Sequence, residues 1–219
     1  MDWAQMLGMR PGVTAVIGGG GKTTLLRTAG ETLAAAGYSV LLCSTAKIYP
    51  FSDLPCVTEP GEGPLLAARA QSRLLCAGTL LGSGKLTAPA VPMARLRLLF
   101  DYVLVEADGS ARLPLKAHAP HEPVIPPEAE RTICVVGASG FGKSIREAAH
   151  RPERYAALAG VGEDDLVTPR IAAAVLRAEG LHNGVLVNQA ELAAAQAREL
   201  VRLLDCPAVA GSLKLGKIF

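Results

Sequence analysis

The sequence has few aromatic residues and lacks any long hydrophobic run. Aromatic side chains make up 4% of its 219 residues, whereas hydrophobic residues of all kinds make up 50%. The core is therefore expected to consist of Leu, Val, Ile and Ala, a composition typical of a buried sheet covered by helices. No apolar stretch approaches the roughly 18 residues that a membrane-spanning helix needs. The amino terminus carries Asp2 and no basic segment, so we expect no signal peptide, no membrane association and a cytoplasmic location.

The sequence also lacks a strong excess of one charge and any clustered set of cysteines. Its formal net charge is +2, without a basic run or a basic and aromatic stripe, so we expect no nucleic-acid partner. The five cysteines are odd in number and contain no Cys-x-x-Cys pair. This pattern favours reduced thiols over a disulfide framework or a zinc site. At this length we expect a single domain over residues 1–219.

Strand-like and helix-like patterns alternate along the chain. The fold class predicted from this alternation is α/β, a P-loop NTPase-like, doubly wound, mainly parallel sheet with helices on both faces. A hairpin is expected around residues 82–84, and residues 109–130 form a proline-rich segment without periodicity, typical of a functional loop. The predicted strands are 13–17, 38–43, 102–105, 132–136, 184–187 and 208–210, and the predicted helices include 22–36, 93–99, 169–179 (capped by Thr168) and 190–204.

The first predicted strand leads into a motif suited to phosphate binding. A phosphate cradle needs glycines whose backbone N–H groups converge on an anion, a helix whose amino terminus favours negative charge, and a lysine. It also needs a hydroxyl group for Mg²⁺. Lys22 is expected to bind phosphate oxygens and Thr23 to ligate the metal. The predicted nucleotide-binding residues of this loop are Gly18, Gly19, Gly20, Gly21, Lys22, Thr23 and Thr24.

The loop departs from the usual pattern G-x-x-x-x-G-K-[ST], and a second segment matches that pattern better. The usual first glycine is replaced by Val16, and the shorter G-x-x-G-K-T-T form resembles the loop of Mur-ligase-type P-loop proteins. Residues 137–144 match the full pattern, but the helix after Ser144 is poorly patterned and the acidic strand end lies upstream. We therefore favour the first loop and leave open whether 137–144 borders the same pocket.

Residues 101–108 resemble a Walker B element, in which an apolar strand delivers carboxylates to its carboxyl end. Glu106 and Asp108 would face the same way in an extended strand. One carboxylate is expected to hold Mg²⁺, while the other orients a water molecule or a substrate group. The predicted catalytic residues are thus Lys22, Glu106 and Asp108, and the predicted metal-binding residues are Thr23, Glu106 and Asp108.

Two further segments are candidates for substrate and base recognition. Polar residues follow the second strand, and the proline-rich loop adds a lysine, two histidines and a glutamate, although His118-x-x-His121 is too weak a pattern to predict a metal site. Residues 188–191 resemble a degraded form of the Asn-Lys-x-Asp motif that reads guanine, so Asn188 is a nucleotide-binding candidate and the choice between ATP and GTP stays open. The predicted substrate-loop residues are Thr45, Lys47, Lys116, His121 and Glu122.

Together these motifs resemble one family, the YqeC-like accessory proteins of selenium-dependent molybdenum hydroxylases. The resemblance covers nearly the whole chain, and its most specific blocks are Glu-Ala-Asp-Gly at 106–109 and His-Glu-Pro-Val-Ile-Pro at 121–126. In that family the segment at Gly142-Lys143 is not generally a P-loop, which favours the first loop. The other matching blocks are residues 18–24, 44–47, 115–116, 136–137, 150–153 and Asn188.

The resemblance implies a nucleotide-dependent step in the maturation or insertion of the cofactor of a molybdenum hydroxylase. The reaction predicted from the residues is hydrolysis of ATP or GTP. A first alternative is an ATP-dependent ligase or kinase that acts on a cofactor or small acid, because the short loop is similar to ligase-type loops. A second alternative is a module that carries a cofactor by its phosphate without hydrolysis, since the same fold can serve either purpose.

Overall fold

A computed structural model describes residues 1–219, which contain thirteen strands. Nine of them form one sheet in the order β13-β12-β11-β9-β1-β7-β2-β4-β3, in which every neighbouring pair is parallel except β12 and β13. The strands are β1 (Gly12–Gly18), β2 (Val40–Ser44), β3 (Cys56–Val57), β4 (Leu74–Ala77), β5 (Thr79–Leu80), β6 (Leu86–Thr87), β7 (Tyr102–Glu106), β8 (Leu115–Lys116), β9 (Ala129–Gly137), β10 (Ala149–His150), β11 (Gly184–Asn188), β12 (Ala208–Ser212) and β13 (Lys217–Ile218).

Helices cover both faces of this sheet, so the predicted fold class is confirmed. Alternate residues of β1 point to opposite faces: Val16 packs with α1 and α2, whereas Ala15 and Ile17 pack with α5 to α8. Helices α3 and α4 cover the same face as α5 to α8, towards the β2–β4 side. The helices are α1 (Trp3–Met6), α2 (Lys22–Ala35), α3 (Glu62–Gln71), α4 (Met93–Leu99), α5 (Ile145–Ala148), α6 (Pro152–Ala159), α7 (Pro169–Glu179) and α8 (Ala194–Leu203).

Helix α7 shows how local signals are realised in the structure. The Thr168 side chain accepts a hydrogen bond from the backbone N–H of Ile171, Pro169 occupies the first turn, and Gly180 ends the helix in a left-handed conformation.

The predicted helix over residues 190–204 is wrong at its start. Residues 190–192 form a separate 3₁₀ turn, because Ala190 turns inward into the core and Ala193, with φ of −156° and ψ of 58°, interrupts the helix before α8.

The proline-rich connection between β7 and β9 is anchored rather than free. Its short strand β8 pairs with β10, and the Val124 N–H donates to the carbonyl of Ala107. The hairpin of β5 and β6 lies at the predicted position. No helix combines the length and the hydrophobicity that a membrane span requires.

Because β1, β7, β9 and β11 are parallel, their carboxyl ends meet at one edge, where open α/β sheets bind ligands.

Candidate functional site

The glycine loop leaves the carboxyl end of β1 in a conformation that only glycine adopts without strain. Gly20 has φ of 80° and Gly21 has φ of 123°. A Cβ atom on Gly20 would lie 2.4 Å from the backbone of Gly137, and one on Gly21 would lie 2.6 Å from Nδ2 of Asn188. The loop therefore packs against the ends of β9 and β11 at a distance that excludes side chains.

Lys22 opens the 14-residue helix α2, and its ammonium group is buried between the loop and the end of β7. Its Nζ donates to the carbonyl oxygen of Gly18 at 2.7 Å and lies 3.1 Å from Oδ1 of Asp108. A weaker ion pair joins it to Oε1 of Glu106 at 3.8 Å, and the Ser110 hydroxyl is 3.3 Å away. The lysine is thus held at the amino terminus of a helix, where an anion is favoured.

Thr23 and Glu106 form a hydroxyl and carboxylate pair beside this lysine. Thr23 Oγ1 donates to Glu106 Oε2 at 2.7 Å. Burial raises the pKa of Glu106, while Lys22 and Thr23 act in the opposite direction. No group of three or more His, Cys, Asp or Glu side chains could hold a metal ion. The hydroxyl and carboxylate oxygens of this pair are ligands of the kind that a hard cation such as Mg²⁺ prefers, and two protein ligands leave the rest of its coordination to phosphate oxygens and water.

Asp108 does not line the cleft, because its side chain is fully buried behind the loop. Its Oδ2 accepts from the Gly18 N–H at 2.9 Å and lies 2.6 Å from Nε2 of His118. Lys116 Nζ is 3.4 Å from the same oxygen. Burial alone would raise the pKa of Asp108, but the His118 hydrogen bond and the charges of Lys22 and Lys116 lower it to about 2. The carboxylate is therefore ionised and contacts Lys22 rather than the cleft.

His118 joins Asp108 to the end of helix α7. Its Nδ1 is 2.8 Å from Oε2 of Glu179, whose Oε1 also accepts from the backbone N–H of His118 at 2.6 Å. Burial lowers the pKa of His118, but the two carboxylates outweigh it and the net shift is upward. Sequence reasoning gave His118 no role, since its partners lie 10 and 61 positions away and nothing in the local pattern indicates them.

Most of the predicted substrate-loop residues lie outside the cleft. Lys116 is buried and lies 2.8 Å from the carboxylate of Glu122, which Arg151 also contacts. The charges of these residues therefore neutralise one another within the protein and do not face the cleft. Thr45 Oγ1 donates to the Val124 carbonyl at 2.6 Å, so it anchors the loop. His121 is exposed and also lies outside the cleft lining. Of the five residues, the structure brings only Lys47 to the cleft.

Asn188 holds the glycine loop from behind. Its Nδ2 donates to the Gly20 carbonyl at 2.8 Å, and its Oδ1 accepts from the Leu213 N–H at 3.0 Å. The next residue, Gln189, lines the cleft and accepts a hydrogen bond from the Ser139 hydroxyl. The amide of Asn188 is therefore used to position the loop, and Gln189 is the side chain of this motif that faces the cleft.

The second glycine-rich segment, residues 137–144, does not form a phosphate cradle. A 3₁₀ turn over Ala138–Gly140 follows β9, and α5 has only four residues. Ser144 instead forms a capping box with Glu147. Gly137 nevertheless packs directly against Gly20, so the segment borders the first loop and supports it.

A cleft of about 680 Å³ opens in front of the first loop. Its lining residues follow β7 and β2 on one side of β1 and β11 on the other side. Glu106 is the only acidic residue in this lining. Four cationic side chains face the same space, which gives the lining an excess of positive charge. The lining residues are Gly20, Gly21, Lys22, Thr23, Thr24, Lys47, Ile48, Tyr49, Pro50, Phe51, Lys85, Glu106, Gly109, Ser110, Ala111, Arg112 and Gln189.

Replacing Asn188 by alanine is expected to destabilise the protein by about 1–3 kcal/mol, because the Leu213 N–H and the Gly20 carbonyl lose a buried partner. Urea denaturation measures this loss, and hydrogen exchange of the loop amides should accelerate. Asn183→Ala is the matched control, since its side chain accepts from the Thr132 N–H at the opposite end of β11. Equal loop exchange in both variants would contradict the bracing role of Asn188.

The strand, glycine loop, helix and buried lysine define this chain as a P-loop α/β protein. The family model for YqeC protein matches residues 14–153, and the chain belongs to that family. It is 34% identical over 162 residues to Uncharacterized protein YqeC of Escherichia coli (strain K12), a match that includes 71% of this chain and 63% of that relative. The family resemblance predicted from the motifs is therefore confirmed.

Two solved structures resemble this chain at low sequence identity. The hydrogenase maturation factor HypB from Archaeoglobus fulgidus aligns with a TM-score of 0.44 and 12% identity, covering 98% of this chain and 86% of that one. FtsY from Mycoplasma mycoides aligns with a TM-score of 0.41 and 12% identity, covering 93% and 61%. Both scores lie below 0.5, so the fold assignment depends on the strand order and the glycine loop instead.

Proposed function

We propose that the protein binds a Mg²⁺-nucleoside triphosphate, ATP or GTP, at the glycine loop and hydrolyses it. The observation that carries this proposal is the joint placement of Lys22 Nζ and Thr23 Oγ1 at the amino terminus of α2, both in contact with Glu106. A phosphate group in front of the loop would meet backbone N–H groups, a helix dipole and a lysine at once.

Each residue of the site has a distinct role in this proposal. The N–H groups of Gly21 and Lys22 bind the phosphate oxygens, because those of Gly19 and Gly20 already donate to the carbonyls of Val135 and Leu113. The Lys22 ammonium exchanges the Gly18 carbonyl for a phosphate oxygen. Thr23 and Glu106 hold Mg²⁺, which neutralises phosphate charge when bound. Asp108 keeps the Lys22 ammonium in place through its contact at 3.1 Å, so it acts on the nucleotide through the lysine.

Glu106 is also the candidate for orienting the attacking water. It is the only acidic side chain in the cleft, and its Oε2 accepts a hydrogen bond from Thr23 at the amino terminus of α2. Hydrolysis transfers the terminal phosphoryl group to water, so positioning and charge stabilisation are the main contributions the protein can make. Lys22 and the loop amides supply the charge stabilisation.

We further propose that this activity serves the maturation of a selenium-dependent molybdenum hydroxylase. The support for this context is the family resemblance in the Glu-Ala-Asp-Gly block at 106–109 and the His-Glu-Pro-Val-Ile-Pro block at 121–126. In the structure the first block supplies Glu106 and Asp108, while Glu122 of the second pairs with Lys116. Both blocks therefore lie in or directly behind the proposed nucleotide site.

A nucleotide-binding screen tests the central proposal. The protein is titrated with ATP, GTP and their non-hydrolysable analogues, with and without Mg²⁺, and calorimetry or thermal unfolding reports binding. Ligand at about 100 times its dissociation constant should stabilise the fold by about 2.7 kcal/mol. We expect Mg²⁺-dependent binding of at least one triphosphate, and the comparison of ATP with GTP identifies the base. Absence of binding by every triphosphate would overturn the proposal.

A turnover assay with the same ligands separates the alternatives. Phosphate release without any added acceptor supports hydrolysis. Binding without any formation of nucleoside diphosphate would favour a carrier module. Formation of nucleoside diphosphate that requires a second substrate would favour a ligase, which also releases phosphate, or a kinase, which transfers the phosphoryl group to that substrate and releases none.

A further inference from the structure

Three cationic side chains in the cleft have no acidic partner. Lys47, Lys85 and Arg112 all line it. The fourth cation of the lining, Lys22, is paired with Asp108, and Lys116 behind the loop is paired with Glu122. The Lys85 ammonium lies 5.0 Å from the centre of the Tyr49 ring. A cation over an aromatic face is held in place without losing its charge. The cleft therefore presents three uncompensated positive charges.

Two of these cations, Lys47 and Lys85, lie on the β2 side of the glycine loop. Lys47 follows β2, and Lys85 belongs to the β5–β6 hairpin, which is tied to the same segment by backbone hydrogen bonds between Ile48 and Leu86. Strand β2 is two positions from β1, about 10 Å at normal strand spacing. The metal-binding pair Thr23 and Glu106 lies between them, whereas Gln189 lies on the opposite side of β1.

The backbone that carries Arg112 is held in an uncommon conformation. Ala111 and Arg112 have φ of 50° and 64°, two consecutive left-handed residues that are not glycine. The turn is closed by a hydrogen bond from the Leu113 N–H to the carbonyl of Ser110, whose hydroxyl contacts Lys22. Such conformations have an energetic cost and are concentrated at functional sites. The strained turn places Arg112 in the cleft lining next to the phosphate loop.

We propose that Lys47, Lys85 and Arg112 form a subsite for a phosphate monoester carried by a small-molecule second substrate. This inference rests on the proposed nucleotide function, because the subsite is adjacent to the position of the terminal phosphate. A phosphate dianion matches an arginine fork and two ammonium groups, whereas a single carboxylate would leave two of the charges unpaired. The site thus holds two anions at once, one on each side of Glu106.

The test uses phenyl phosphate as the probe on the full chain, first loaded with a saturating Mg²⁺-bound non-hydrolysable nucleotide. Calorimetry follows binding to the wild type and to the Lys85→Gln and Arg112→Gln variants. Lys214→Gln is the matched control, since Lys214 is exposed and lies outside the cleft. Loss of one charge-assisted contact should weaken phenyl phosphate at least about tenfold in each cleft variant and leave the control unchanged. Benzyl alcohol, which carries no charge, should not bind.

Other outcomes decide against the subsite. Absence of phenyl phosphate binding, or equal binding by the cleft variants and the control, overturns it. If Lys85→Gln and Arg112→Gln weaken the nucleotide as much as the probe, the cations serve the nucleotide and the proposal fails. If no nucleotide binds, the proposed function fails instead, and titration of the free protein still decides the subsite through its dependence on Lys85 and Arg112.

Discussion

Replacing Lys22 by alanine is expected to reduce nucleotide turnover by about 100- to 1,000-fold, the usual cost of removing one group that stabilises developing charge. The structure gives the physical reason. The ammonium group is held at the amino terminus of α2 by Gly18 and Asp108, so it is already oriented towards a phosphate and needs little reorganisation. Steady-state phosphate release at saturating Mg²⁺-nucleotide measures the loss.

Lys143→Ala is the matched control for this experiment. Lys143 occupies the lysine position of residues 137–144, the segment that matches the full G-x-x-x-x-G-K-[ST] pattern. Its side chain is exposed and lies outside the cleft. Turnover should therefore stay at the wild-type level. Because Lys22→Ala also removes a counter-charge from Asp108, thermal unfolding must show that the variant remains folded at the assay temperature. Normal turnover by a folded Lys22→Ala variant would refute the assignment of the first loop.

Asp108→Asn is expected to destabilise the fold by about 3–5 kcal/mol, the typical effect of removing one partner from a buried ion pair. The carboxylate is fully buried and contacts Lys22, Lys116 and His118, which would lose their common counter-charge. Urea denaturation at neutral pH measures the change. Asp53→Asn is the control, since Asp53 forms an exposed pair with Arg27 and such pairs contribute little to stability. Similar losses in both variants would contradict a central role for Asp108.

The pH dependence of stability provides an independent test of the same cluster. The pKa of Asp108 is lowered to about 2, so its contribution is complete above its unfolded value of about 3.9 and is lost as the pH falls from about 4 to 2. The pKa of His118 is raised, so its contribution is complete below about 6.5 and is lost as the pH rises through the folded value. Asp108→Asn removes this titrating carboxylate. Between about pH 4 and pH 2, the free energy of unfolding of the variant, measured by urea denaturation, should therefore fall less than that of the wild type.

The site itself was only partly predictable. Gly18 to Thr24 and Glu106 belong to short motifs whose spacing has a direct chemical meaning, and the structure brings them together as expected. Asp108 and Lys116 were expected to act at the metal or the substrate, but both are buried behind the loop. Nothing in their neighbourhood in sequence distinguishes a carboxylate that faces solvent from one that is covered by a later segment.

The local pattern of the chain predicted six strands of the central sheet, the glycine loop and the cap of α7, but it did not predict the sheet strands β3, β4 and β13. These features depend on neighbouring residues, through the period of hydrophobic positions, the conformational freedom of glycine and the hydrogen bond of Thr168. Only the tertiary structure decided the direction of each polar side chain at the sheet edge. Partners such as His118 with Glu179, or Asn188 with Gly20, are separated by 61 and 168 positions. Burial and counter-charge, which select between the cleft and the interior, arise only when those distant segments pack together.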